Sequence, residues 1–117
     1  MKYAKLFKAH LEVTKKSKLI DFFFKNQVRY LILLLALDDL DGVKNIIKNF
    51  NYYYKNIPSK ISSQININHQ IDLAIAEGYL IKKKSAIDKR STIVTATLGT
   101  KDEFDKYFKL ATTGLGL

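Results

Sequence analysis

A chain of 117 residues and 13.5 kDa has room for one domain and no second core. With 47% apolar and 26% charged residues it is too apolar to stay disordered, and it is expected to fold. It has no cysteine and only two histidines, His10 and His69, which removes disulfides, thiol nucleophiles and cysteine-ligated zinc and leaves metal or covalent catalysis without its usual residues. Twenty Lys/Arg against eleven Asp/Glu give a net charge of +9, which favours a polyanionic partner: nucleic acid first, an anionic membrane surface second.

The basic start Met1-Lys2-Tyr3-Ala4-Lys5 is not followed by a continuous apolar stretch, so no signal peptide is expected. Tyr3, Leu6, Phe7, His10 and Leu11 recur at helical spacing, with Lys2, Lys5, Lys8 and Glu12 turned the other way, and predict an amphipathic first helix. Ser17 can cap a second, longer helix carrying Ile20, Phe23, Phe24, Val28 and Leu31, which becomes apolar all round until Asp38-Asp39 and belongs at the centre. Its apolar run from Tyr30 to Leu37 is far short of the roughly 20 residues that span a membrane. Asp41-Gly42 breaks the chain and can cap a third helix with Val43, Ile46, Ile47 and Phe50 inward and Lys44 and Lys48 outward.

Asn51–Lys60, with Tyr52-Tyr53-Tyr54 and the only proline, Pro58, is expected to form a turn. A fourth helix begins near Ser62 or Ser63. It turns Ile67, Ile71, Ala74 and Ile75 inward and sets Gln64, Asn66, His69 and Gln70 on or beside the outward face. Gly78 suits a left-handed cap. The period then becomes strand-like: Leu80–Lys84, a loop Ser85–Ser91, and the β-branched run Thr92–Thr97 predict a hairpin. Thr100 with Glu103 forms a capping box for a short last helix bearing Phe104, Tyr107, Phe108 and Ala111, and the tail from Thr112 is expected to fray. The fold class expected is therefore mainly α with a small β-hairpin, one α+β domain over residues 1–117. In it the first and last helices are free to pair with a second copy.

Charge follows this layout. Residues 42–71 hold Lys44, Lys48, Lys55 and Lys60 with no acid, and the hairpin holds Lys82, Lys83, Lys84, Lys89 and Arg90 against Asp88. Helix, helix, polar-faced helix, glycine and charged hairpin is the order of a winged helix-turn-helix, in which the polar-faced helix enters a DNA major groove. Ala76-Glu77-Gly78-Tyr79-Leu80-Ile81-Lys82, then Ser85-Ala86-Ile87-Asp88-Lys89-Arg90-Ser91 and Ile93-Val94, resembles the helix end, wing and second strand of MarR-family regulators, closest to the short SarA-like branch. The resemblance covers about Ser63–Leu98. The exit from the wing departs from the family pattern at Ala96-Thr97-Leu98-Gly99, as does the longer approach Asn51–Ile61.

The resemblance implies a dimeric, sequence-specific regulator of transcription that binds double-stranded DNA in the cytoplasm, at the nucleoid. Its wing spans about residues 80–98, and Arg90 reaches the minor groove while Asp88 orients it. The DNA-contacting set would be Ser63, Gln64, Asn66, His69, Gln70, Lys82, Lys83, Lys84, Asp88, Lys89 and Arg90, with no cofactor, no metal and no catalytic residue. Each signal has a plainer reading. Lysines protect exposed edge strands, amides are ordinary surface residues that also read adenine, and Arg90 can simply pair with Asp88 in a turn. The three tyrosines can stack on unpaired bases or pack between helices, and His10 can pack or sit at a dimer contact. Asp38, Asp39 and Asp41 suit helix termination better than acid–base chemistry. A plasmid or viral replication or partition protein would use the same fold. A membrane-surface protein would use the first helix instead, and would bind vesicles but not duplexes.

Overall fold

The computed structural model describes residues 2–38, 47–85 and 90–114. Among the described residues, six helices and one hairpin follow in the order α1 (Lys2–Lys16), α2 (Lys18–Phe24), α3 (Gln27–Leu37), α4 (Phe50–Asn56), α5 (Gln64–Ala76), β1 (Leu80–Lys84), β2 (Thr92–Ala96) and α6 (Leu98–Gly114). The two strands pair antiparallel, Leu80 opposite Ala96 through Lys84 opposite Thr92. This is the element order of a winged helix, with α4 and α5 as its helix-turn-helix pair and β1–β2 as its wing. Of the expected third helix with Val43, Ile46, Ile47 and Phe50, the part up to Ile46 lies outside the described residues, as do the Asp39, Asp41 and Gly42 signals; residues 47–49 are not helical, because Asn49 bridges Ile93, and Phe50 begins α4.

The long second helix is two helices. Lys25 closes α2, and Asn26 adopts an extended backbone while its side-chain oxygen accepts from the Val28 and Arg29 N–H groups at 2.8 and 3.4 Å. An asparagine that caps backbone donors competes with the helix it interrupts, and this outweighs the apolar periodicity on either side. Ser17 caps α2 as expected, accepting from the Ile20 N–H, and also donates to a Glu103 carboxylate oxygen at 2.8 Å. Helix α3 sits at the centre, burying Val28, Ile32, Leu33 and Ala36 against α2, α4, α5 and β2.

The expected turn at Asn51–Lys60 is largely helix α4, capped by Asn49, whose side chain accepts from the Tyr52 N–H. The turn is shorter and later: the Pro58 carbonyl accepts from the Ile61 and Ser62 N–H groups. All three tyrosines are used in packing. The Tyr52 hydroxyl donates to the Leu35 carbonyl at 3.1 Å, Tyr53 to the Val94 carbonyl at 2.7 Å, and Tyr54 to the Asn68 side-chain oxygen. Lys48, expected to face outward, is buried and donates to the Ala36 carbonyl at 2.7 Å. Its own carbonyl accepts from the Val94 N–H, and Asn49 bridges Ile93, so this segment lines the outer edge of β2.

Burial, and to a lesser degree the neighbouring Tyr52, hold the Tyr53 phenol protonated far above its ordinary pKa of 10.0. The unfolded chain releases that proton near pH 10.0 while the folded chain retains it, so the contribution is complete below that pH and declines above it. The decline is at most about 1.4 kcal/mol per pH unit. Tyr53→Phe should cost about 1–2 kcal/mol near neutrality by stranding the Val94 carbonyl, and should flatten the alkaline loss. Urea titrations of both proteins on either side of that pH check this, and equal alkaline slopes would contradict it.

The Gly-Tyr step ends α5 in a Schellman motif. The Gly78 N–H donates to the Ile75 carbonyl at 2.9 Å and the Tyr79 N–H to the Ala74 carbonyl at 3.0 Å, with Gly78 at φ +81°. Tyr79 then packs on Phe22 and Phe23 at ring separations of 5.3 and 5.7 Å. The capping box expected at Thr100 does not form: α6 begins one turn earlier, at Leu98, and the Thr97 hydroxyl caps it by accepting from the Thr100 N–H. Thr100 is buried and donates to the Tyr79 carbonyl at 2.7 Å, while Glu103 serves Ser17. The last helix runs to Gly114 and includes residues expected to fray. His10 packs edge-on to Phe24 at 4.8 Å and near Tyr107 at 6.3 Å.

Candidate nucleic-acid interface

Helix α5 is positioned from both ends. Ser63 caps it, its hydroxyl accepting from the Asn66 N–H at 3.1 Å, and the Schellman turn fixes the other end before the wing. Ile67, Ile71 and Ala74 are buried as expected, and Ile75 packs at the core's edge. The remaining face divides into an internal polar chain and an exposed stripe.

The internal chain corrects the expected free amide face. Gln70 is buried: its side-chain oxygen accepts from Arg29 Nε at 2.8 Å, and its nitrogen donates to the Asn66 side-chain oxygen at 3.1 Å. Asn66 in turn donates to the Ser62 hydroxyl at 3.0 Å. Arg29 also donates from Nη1 to the Phe22 carbonyl at 3.3 Å and stacks 4.2 Å above the Phe22 ring. One guanidinium therefore ties α2, α3 and α5 together and fixes the rotation of α5 about its axis. Helical spacing does not single out Arg29; the available signal is that it is one of only two arginines among twenty basic residues. Lysine cannot supply a flat stacking surface and a fork of directed donors.

The exposed stripe comprises Gln64, Ile65, His69 and Asp72, with Asn68 half-buried beside it and held by Tyr54. The lysines nearest in the chain, Lys55 and Lys60, are exposed. On the wing Lys82, Lys83 and Lys84 are all exposed, Lys82 leaning over the Phe50 ring at 5.4 Å, and Arg90 is exposed at the turn into β2. The Ser85 N–H donates to the Ser91 carbonyl at 2.9 Å and closes the base of the wing tip. Asp88 and Lys89 lie outside the described residues. The site thus offers amide, imidazole and apolar groups on one helix, with exposed cations before and after it in the chain. Such an arrangement can neutralise phosphates and meet base edges without performing chemistry.

A second exposed surface lies on the terminal helices. Tyr3, Phe7 and Leu11 recur every four residues along α1, and Phe108 and Leu110 are exposed on α6. Phe104 and Tyr107, expected on this surface too, instead pack against the chain's own core. Among the described residues no group of three His, Asp or Glu side chains could hold a metal, and no helix is long and apolar enough to cross a membrane.

The helices and the two-stranded antiparallel hairpin give the fold of the winged helix-turn-helix class. No protein-family model matches the sequence, and neither does any curated protein. Among solved structures the chain is similar to Bordetella bronchiseptica BpsR, whose DNA binding is regulated by 6-hydroxynicotinic acid. The TM-score is 0.48 and the identity 16%, over 97% of this chain and 75% of that one. A likeness at that level is too low to bear on function.

Proposed function

We propose that this chain is a sequence-specific, double-stranded DNA-binding regulator of transcription that works as a homodimer in the cytoplasm, without cofactor or catalysis. The observation that carries this reading is the exposed polar and apolar stripe of α5, preceded in the chain by exposed Lys55 and Lys60 and followed by the exposed lysines of the wing. The resemblance of the Gly-Tyr step and wing to MarR-family regulators, closest to the SarA-like branch, supports it. In this reading the whole chain is one DNA-binding domain. Helix α5 enters the major groove through Gln64 and His69, with Ser63 at its entry. The wing, about residues 80–98, grips the flanking minor groove through Arg90 with Asp88 and Lys89, and Lys82–Lys84 neutralise phosphates.

Asn66 and Gln70 take a positioning role, since their amides are engaged within the protein. The apolar stripe of α1 and the exposed Phe108 of α6 are covered by a second copy, which sets two recognition helices about one helical turn apart.

The test separates reading from gripping. On a preferred duplex, Gln64→Ala should cost on the order of 1–3 kcal/mol and relax base preference at its position. Lys83→Ala should weaken all duplexes alike, and Arg90→Ala should act mainly at flanking A·T steps. Fluorescence anisotropy on the preferred duplex and on variants with altered core or G·C flanks distinguishes these. Uniform losses for all three variants would overturn the assignment of base reading to α5.

A further inference from the structure

Helix α5 carries an aliphatic side chain where a solvated face calls for a polar one. Ile65 is 83% exposed, while Ile67 and Ile71 on the same helix are 1% and 0% exposed and form core. A single exposed aliphatic residue is ordinary on a protein surface, so its setting decides the matter. Ile65 lies in the first turn of α5, beside Gln64 and one turn before His69, with exposed Lys55 and Lys60 on the approach to the helix. Acidic residues, Asp72 and Glu77, appear only in the later turns. Anionic DNA therefore meets the helix at its first two turns, and Ile65 is the apolar group presented there.

We propose that Ile65 is a specificity-determining residue that packs against the 5-methyl group of a thymine in the major groove. This rests on the reading of α5 as the recognition helix. The thymine methyl is the one apolar feature on a major-groove base edge, and an aliphatic side chain without donors or acceptors can distinguish nothing else there. A β-branched side chain in a helix is nearly restricted to one χ1 rotamer, so the contact is formed with little ordering cost. The neighbouring Gln64 suits adenine, and the pair together selects A·T-containing steps under the first turn. The Arg29–Gln70–Asn66 chain fixes the rotation that points both outward.

The experiment uses the full chain and a duplex enriched from a random library, with each thymine of the half-site replaced singly by deoxyuridine, which removes only the methyl group. One position per half-site should weaken wild-type binding by about four-fold, the worth of one buried methyl. Ile65→Ala should bind the thymine and deoxyuridine duplexes alike, and Ile65→Val should retain part of the difference. Because Ile65 is exposed, both variants are expected to keep the wild-type unfolding midpoint. The proposal is overturned if no thymine is sensitive, if the enriched half-site lacks thymine, or if Ile65→Ala keeps the full discrimination. Failure to bind any duplex overturns the recognition-helix reading itself, so the two failures are distinguishable.

Discussion

Raising monovalent salt from about 50 to about 200 mM should weaken duplex binding by roughly 10³–10⁴-fold. The exposed cations beside the proposed interface are Lys55, Lys60, Lys82, Lys83, Lys84 and Arg90, whereas Lys48 is buried against the Ala36 carbonyl and contributes nothing to phosphate binding. If each protomer of a dimer uses three or four of them, about 6–8 phosphates are neutralised and log affinity falls with log salt at a slope of about −5 to −7. Counterion release depends on the number of neutralised phosphates and not on sequence, so an unrelated duplex should show a similar slope from a weaker starting point. A slope near zero would mean that the net charge of +9 serves another purpose.

Arg29→Ala should destabilise the fold by about 3 kcal/mol, the largest loss expected from any single change to a charged residue here. Three interactions disappear together: the Nε donation to buried Gln70, the Nη1 donation to the Phe22 carbonyl, and the stack on the Phe22 ring. Leaving a buried amide unsatisfied accounts for roughly 1–3 kcal/mol, and loss of the cation–π contact adds about 0.5–1 kcal/mol. Arg29→Lys keeps the charge but not the directed Nε–H, and should lose about half as much. Urea unfolding of the single variants and of the Arg29→Ala, Gln70→Ala pair measures the coupling, which should be on the order of 1 kcal/mol or more. Additive losses would show that the two residues do not act as a unit.

The features behind these expectations are unevenly legible in the sequence. The hairpin strands can be placed because β-branched residues in β2 and a glycine at a helix end have few alternatives, and Gly78 does adopt a positive φ. The sequence leaves the start of α5 open between Ser62 and Ser63, and the structure uses Ser63 as the cap; the inward positions Ile67, Ile71 and Ala74 follow from helical spacing and are buried. The break at Asn26 is hidden because apolar periodicity continues across it, and a capping side chain leaves no trace in a hydrophobicity pattern. Helix α4 resembles a turn in the sequence because Pro58 and the asparagines are turn formers, although the proline falls after the helix and Asn49 starts it. Residue type assigns Lys48 and Gln70 to the surface, but each is satisfied inside by a partner distant in sequence, Ala36 and Arg29 respectively.

The most direct measurement of the central claim is selection of bound duplexes from a random library by the intact chain. A winged-helix dimer that reads DNA through α5 should yield an enriched consensus with dyad symmetry, its two half-sites about one helical turn apart and A·T-rich flanks where the wings lie. Recovery of duplexes with no shared sequence, or no retention of duplex at low salt, would contradict it.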